Sequence, residues 1–252
     1  MTVFIIFIQN QRCSNRGIGL ELVKKLTDHV SPPKIIIAAC RNPDSAQDLQ
    51  EFSKTHKNVH IIQLDMTQSD TFDKTVQEVE NIVGDEGLNV LINNAGILKE
   101  TATINDITAE NLTLHYLTNT VGPIMLTKAF IPLLKKAAAK NSSLPLGVLR
   151  AAVINVTSVL GSISQNTSSG SHGYRESKAA LNMATRSLSV ELKGDGILAT
   201  VIHPGWVKTD MGGQNANLTV EISASNIVKT LYSLTEKQNA GFVQYDGKEL
   251  PW

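Results

Sequence analysis

Residues Val59–Gly96 read VHIIQLDMTQSDTFDKTVQEVENIVGDEGLNVLINNAG, and this stretch decides the fold class. It opens on a β-branched run, Val59–Leu64, and ends on another, Val90–Ile92. Between them Phe72, Val76, Val79, Ile82 and Val83 recur three or four residues apart, and Gly84 follows. That spacing lays apolar side chains along one stripe of a helix, and the glycine stops it. Val90–Ile92 is wholly apolar and Val59–Leu64 mostly so, which suits strands buried on two faces of a parallel sheet.

The same alternation extends outward. Upstream, Val3–Ile8 and Lys34–Ala39 read as strands; downstream, Ala151–Val156, Leu198–Ile202 and Phe242–Tyr245 do. Strand and helix take turns throughout, which predicts an α/β fold: a doubly wound, parallel, seven-stranded sheet with helices on both faces. No repeat, linker or low-complexity tract divides the chain, so residues 1–252 are read as a single domain. In such a sheet, ligands bind at the carboxyl ends of the strands. The residues that matter most are therefore Cys13–Gly19, Arg41, Asp65, Asn93–Gly96, Ser158 and Pro204–Thr209.

The 252 residues include 23 basic and 23 acidic side chains, so the formal net charge is zero. No overall field draws the chain to nucleic acid or to an anionic membrane. The six histidines do not cluster with cysteines or acids at ligand spacing, and no metal site is expected. Two cysteines, Cys13 and Cys40, are too few for a disulfide framework and suit a reducing compartment. Val3–Ile8 lacks the basic lead-in of a signal peptide, and no apolar run is expected to span a bilayer. The expectation is a soluble, cytoplasmic protein with a small-molecule partner.

Tyr174 and Lys178 stand four residues apart, on one face of a helix. An ammonium beside a phenol favours the phenolate, which predicts a lowered Tyr174 pKa and proton exchange with a carbonyl or alcohol oxygen. Ser158 ends an apolar strand and can donate to the same oxygen. Thr108–Ala139 reads as a long helix interrupted at Gly122-Pro123, and the proline displaces the carbonyl of Asn119, freeing it for a water. In Asn93-Asn94-Ala95-Gly96 small residues let a backbone approach a ligand. In His203-Pro204-Gly205-Trp206-Val207-Lys208-Thr209 a turn presents Val207 and Thr209 at the sheet edge. Asp210–Leu218 follows as a mobile lid. Each piece alone is ordinary: a helix surface, a strand-end serine, a proline kink.

Their order is informative. The chain resembles the classical short-chain dehydrogenase/reductase family over essentially its whole length, in its carbonyl reductase subgroup. The resemblance is carried by Leu88–Ile97 (LNVLINNAGI), Asn119–Leu126 (NTVGPIML), Leu133–Ala138 (LLKKAA), His203–Gly213 (HPGWVKTDMGG) and Glu236–Gly247 (EKQNAGFVQYDG). It implies a Rossmann-type fold and an NADPH-dependent reductase of small aldehydes, ketones or quinones. It implies Tyr174 as general acid/base, Lys178 as its tuner and a ribose ligand, Ser158 as orienter of the carbonyl, and Asn119 as holder of a relay water. It implies that Ser14, Asn15, Arg16, Gly17, Ile18, Gly19, Arg41, Asp65, Met66, Asn93, Ala95, Gly96, Pro204, Gly205, Val207 and Thr209 contact the cofactor, with Asp65 at the adenine. A homodimer through the long helices is a further implication.

NADP(H) is also argued from charge. NAD enzymes of this fold place an acid after the second strand, where this chain has Cys40-Arg41. Arg41 and Arg16 suit a 2′-phosphate by charge and fork geometry. Two departures stand beside the resemblance. Ser158 precedes Tyr174 by 16 residues, a slightly enlarged gap. In Arg12-Cys13-Ser14-Asn15-Arg16-Gly17-Ile18-Gly19 only the last two glycines of the family's loop are kept, and Cys13 replaces the first. Counting back without a gap would bury Gln9, Asn10 and Gln11, at about 1–3 kcal/mol each if unpartnered. Taking Val3–Ile8 as the strand lengthens the loop instead. The first dozen residues thus depart from the ancestral pattern, as a divergent start or as an error in deriving the protein from its gene. The second reading of the whole chain is a binding or regulatory module that kept the fold and lost catalysis.

Overall fold

Val3–Phe7 (β1) lies at the centre of the sheet, opposite Ile35–Ala39 on one side and Val90–Ile92 on the other. The structure, a computed structural model, describes residues 2–7, 17–99 and 103–252. Among these residues the other strands are Ile35–Cys40 (β2), Val59–Gln63 (β3), Val90–Asn93 (β4), Ala152–Val156 (β5), Leu198–His203 (β6) and Phe242–Gln244 (β7). All pair in parallel, in the order β3-β2-β1-β4-β5-β6-β7. Each predicted strand is present to within a residue or so at its ends, and the order reverses between β1 and β4, where the fold opens its crevice.

Alternation along each strand feeds two cores. Phe4 and Ile6 of β1 pack with Leu22 and Leu26 of helix Ile18–Thr27 (α1) and with Ile227 and Leu231 of helix Val220–Ser233 (α7). Val3 and Ile5 face the opposite layer, with Val79 and Val83 of helix Phe72–Val83 and Phe130 and Leu134 of the long helix. Burying each large side chain contributes about 1.5–3 kcal/mol, so β1 is anchored on both faces. This register assigns the central strand to Val3–Phe7. Gln9, Asn10, Gln11 and Cys13 lie outside the described residues, as do Ser14, Asn15 and Arg16 among the expected cofactor contacts.

The long helix corrects two expectations. It is not broken at Gly122-Pro123: Ala109–Tyr116 (α4) passes through a π-helical turn, Leu117–Val121, into Gly122–Lys140 (α5) without a gap. The wider turn absorbs the hydrogen bond that Pro123 cannot donate. As one run, Ala109–Lys140 is long and apolar enough to cross a bilayer by length and composition. Leu126, Phe130 and Leu134 are instead fully buried against the sheet, so its apolar character is that of a core helix.

Candidate active site

Helix Tyr174–Lys193 (α6) begins at the tyrosine that the sequence singles out. Its buried stripe faces the ends of β5 and β6, and Tyr174 and Lys178 are only 7% and 3% exposed. The Lys178 Nζ lies 5.8 Å from the centre of the Tyr174 ring and donates to the Val156 carbonyl at 2.9 Å. Ser158, two residues beyond that carbonyl, is close enough to the Tyr174 hydroxyl to ease its ionisation. Tyrosine, lysine and serine therefore meet where a strand end and a helix start converge.

Burial pushes the Tyr174 hydroxyl up to about 12, opposed by Ser158. Burial likewise pulls Lys178 down to about 8. This corrects the expectation of an acidified phenol: desolvation penalises the phenolate more than its neighbours favour it. The ammonium is also turned toward the Val156 carbonyl rather than the phenol oxygen.

Asn119 sits in the π-helical turn with both ends of its side chain engaged. Its Oδ1 accepts from the Ile97 N–H at 2.7 Å, and its Nδ2 donates to the Ile97 carbonyl at 2.9 Å and to Ser177 Oγ at 3.0 Å. The sequence pointed to its displaced carbonyl; the side chain, tying the loop after β4 to α6, was not legible there. His115, one turn earlier, accepts the Lys99 N–H and packs edge-on against the Tyr174 ring.

Tyr174 and Lys178 border a cleft of about 320 Å³ at the carboxyl ends of the central strands, while Ser158 and Asn119 stand behind its lining. Tyr174, Lys178, Gly17, Ile18, Gly19, Gly96, Pro204 and Thr209 line it, as positions taken from the sequence. Lys208, Asp210, Met211 and Gln214 line it too, together with Asn94, Thr157 and Val220; most fall inside motifs already quoted without having been singled out. Other expected contacts stand outside this lining. The Asn93 side chain is buried, donating to Thr127 and Asn155. Asp65 accepts from the N–H and hydroxyl of Thr67, pinning the turn after β3. Met66 is buried, with its carbonyl against Gly122. Arg41 is exposed at the end of β2, Ala95 packs on the core below the cleft, and Gly205 and Val207 form the turn beside Leu218. The expected lid is braced: Trp206 donates its indole N–H to the Gly212 carbonyl at 2.8 Å, and Leu218 pairs with Val207.

The cleft fits a dinucleotide on two observations. The N-terminal turn of α1 lines it, and among the described residues no side chain caps that turn, so its N–H groups suit an anion. At Gly96 an added Cβ would stand 3.2 Å from Lys178 Nζ and 3.3 Å from Asn119 Oδ1, so glycine keeps the wall thin beside the lysine.

Comparison with known proteins agrees with this geometry. The chain is similar in structure to the carbonyl reductase Sniffer of D. melanogaster, with 49% identity and a TM-score of 0.95 over 100% of this chain and 99% of that one. It is similar to an NADPH-bound carbonyl reductase from chicken fatty liver, with 37% identity and a TM-score of 0.91 over 100% of both chains. An uncharacterized oxidoreductase of Schizosaccharomyces pombe is 34% identical over 94% of this chain and 95% of its own length. Residues 13–219 match the family model described as short chain dehydrogenase. With that match on most of its length, the chain belongs to the short-chain dehydrogenase family and is an oxidoreductase of that type.

Proposed function

We propose that this protein is an NADPH-dependent carbonyl reductase acting on small aldehydes, ketones or quinones. The observation that carries the reading is the buried Tyr174–Lys178 pair at the wall of the cleft, with Ser158 buried next to the lining residue Thr157. A phenol held near 12 is protonated at neutral pH, so Tyr174 is a proton donor, as reduction of a carbonyl requires. Bound NADPH supplies the hydride. Ser158 orients the carbonyl oxygen toward Tyr174. Lys178 stabilises the phenolate left after the proton moves and would hold the nicotinamide ribose. Asn119 keeps the Ile97 loop against α6, and a water at its backbone carbonyl would return the proton.

Gly17, Ile18, Gly19, Gly96, Pro204 and Thr209 would hold the cofactor along the cleft. Arg41 would meet the 2′-phosphate, since Cys40-Arg41 and not a carboxylate stands at the end of β2 where a ribose hydroxyl would be received. The chicken-liver relative, described as NADPH-bound, supports that choice. A cytoplasmic site belongs to the same reading, on the free thiol of Cys40. So does a homodimer, on the exposed Leu112 and Tyr116 of α4.

The second reading, a binding or regulatory module without turnover, is favoured by Cys13 in place of the loop's first glycine. NADPH titration followed by tryptophan fluorescence, with a carbonyl panel read by NADPH consumption, separates the two. Saturable binding with turnover is expected, and Tyr174→Phe should lower kcat by about a thousandfold or more while NADPH affinity stays nearly unchanged. Binding without turnover of any carbonyl would select the second reading.

A further inference from the structure

The stripe of α6 that carries Tyr174 and Lys178 continues one turn further to Asn182, which is also buried. A primary amide at that depth needs partners at both ends. Asn182 finds them on the segment that bears Ser158. Its Oδ1 accepts from the Thr157 hydroxyl at 2.6 Å, and its Nδ2 donates to the Gly161 carbonyl at 3.1 Å. Thr157 immediately precedes Ser158. Gly161 ends the short 3-10 turn Val159–Gly161, which Ser158 caps by accepting the Leu160 N–H. One amide therefore holds the chain on both sides of Ser158.

The surrounding contacts leave this segment little slack. A Cβ on Gly161 would stand 2.8 Å from the Lys178 Cβ, so glycine lets the turn press directly on α6. Thr157 donates its N–H to the Ile202 carbonyl at 2.9 Å, fixing the near end to β6. Further along α6, Thr185 accepts from the Asn155 amide at 2.7 Å. That bond fastens the strand, whereas the Asn182 bonds fasten the turn carrying the serine.

We propose that Asn182 is a positioning residue: by tying Thr157 and Gly161 to α6, it sets the Ser158 hydroxyl against Tyr174. Its kinetic consequence rests on the carbonyl reductase reading; the tie itself does not.

Asn182→Leu removes both bonds while keeping the number and branching of side-chain heavy atoms. Hydrogen–deuterium exchange across residues 157–162 reports the tie with or without turnover. Exchange there should quicken by about tenfold or more. Turnover should fall by about tenfold or more while the NADPH Kd stays within about twofold. In the alcohol-oxidation direction the rise of rate with pH should move to higher pH, because a displaced Ser158 no longer eases ionisation of Tyr174. A general loss of stability would not move that rise. Should Asn182→Leu fail to fold, Thr157→Val, which removes one of the two bonds, should give a smaller shift in the same direction. Unchanged exchange at 157–162 overturns the proposal, and so does an unmoved pH profile with quickened exchange. A wild-type protein that reduces no carbonyl overturns the reductase reading instead, and the exchange result still decides the tie.

Discussion

Lys178 and Tyr174 exchange their usual order of proton affinity. Burial leaves the lysine near 8 and the tyrosine near 12, so both are protonated at neutral pH and the lysine loses its proton first. Reduction transfers the Tyr174 proton and creates a phenolate that a charged Lys178 stabilises. Carbonyl reduction should therefore decline as pH rises through about 8. Lys178→Met should abolish that limb and slow the reaction by about a hundredfold. A decline confined to the range of the phenol would remove Lys178 from this role. Arg41 gives a second test at this scale. Arg41→Asp should weaken NADPH by about tenfold or more and NADH much less, since only the former carries the 2′-phosphate. Equal losses for the two cofactors would refute the contact. The Tyr174–Lys178 pairing was legible because a spacing of four is a local signal. The direction of the Tyr174 shift was not, because desolvation depends on β5 and β6 closing over α6.

The π-helical turn at Leu117–Val121 is the element that most rewards comparison with the sequence. Pro123 announced a disturbance at Asn119, and a disturbance is there, yet the helix widens instead of breaking. The strands were legible nearly to the residue, because most are apolar on both faces and need no distant information. The Asn119 side chain was opaque for the opposite reason: Ile97 and Ser177 are 22 and 58 residues away. The same holds for Asn94, Thr157 and Gln214, whose place on the cleft is set by the register of separate strands and loops. Asn119→Leu should leave the Ile97 N–H and carbonyl unpartnered, destabilising the protein by about 2–5 kcal/mol. It should also weaken NADPH binding, because the Gly96–Ile97 wall loses its tie to α6. Urea unfolding and NADPH titration measure the two effects. Wild-type stability in this variant would show that other contacts hold the loop.

At the scale of the whole molecule, acid stability reports on how completely the sheet buries its last polar residue before the cleft. His203 ends β6, pairs with Gln244 of β7, and has a buried Nδ1 without a hydrogen-bond partner among the described residues. Burial pulls its pKa from 6.5 to about 4. The folded protein thus holds this imidazole neutral, while the unfolded chain takes up a proton below about pH 6.5. Between those values the unfolded state binds more protons, so stability falls as pH falls. The contribution is complete above the unfolded pKa and is lost by the time pH reaches about 4, where both states are protonated. Its full size is at most about 3 kcal/mol. Glu176, whose carboxylate accepts from His172 and the Gly173 N–H, is also held below its ordinary value, so its contribution is lost at the acid end of this range and below. His203→Gln removes the titrating group and leaves Glu176 in place. Urea unfolding between about pH 7 and 4 should show a shallower loss of stability in the variant, with the two curves diverging below about pH 6.5. Parallel curves would mean that His203 is hydrated and protonates in the folded protein, and that the sheet edge beside Pro204 is open to water.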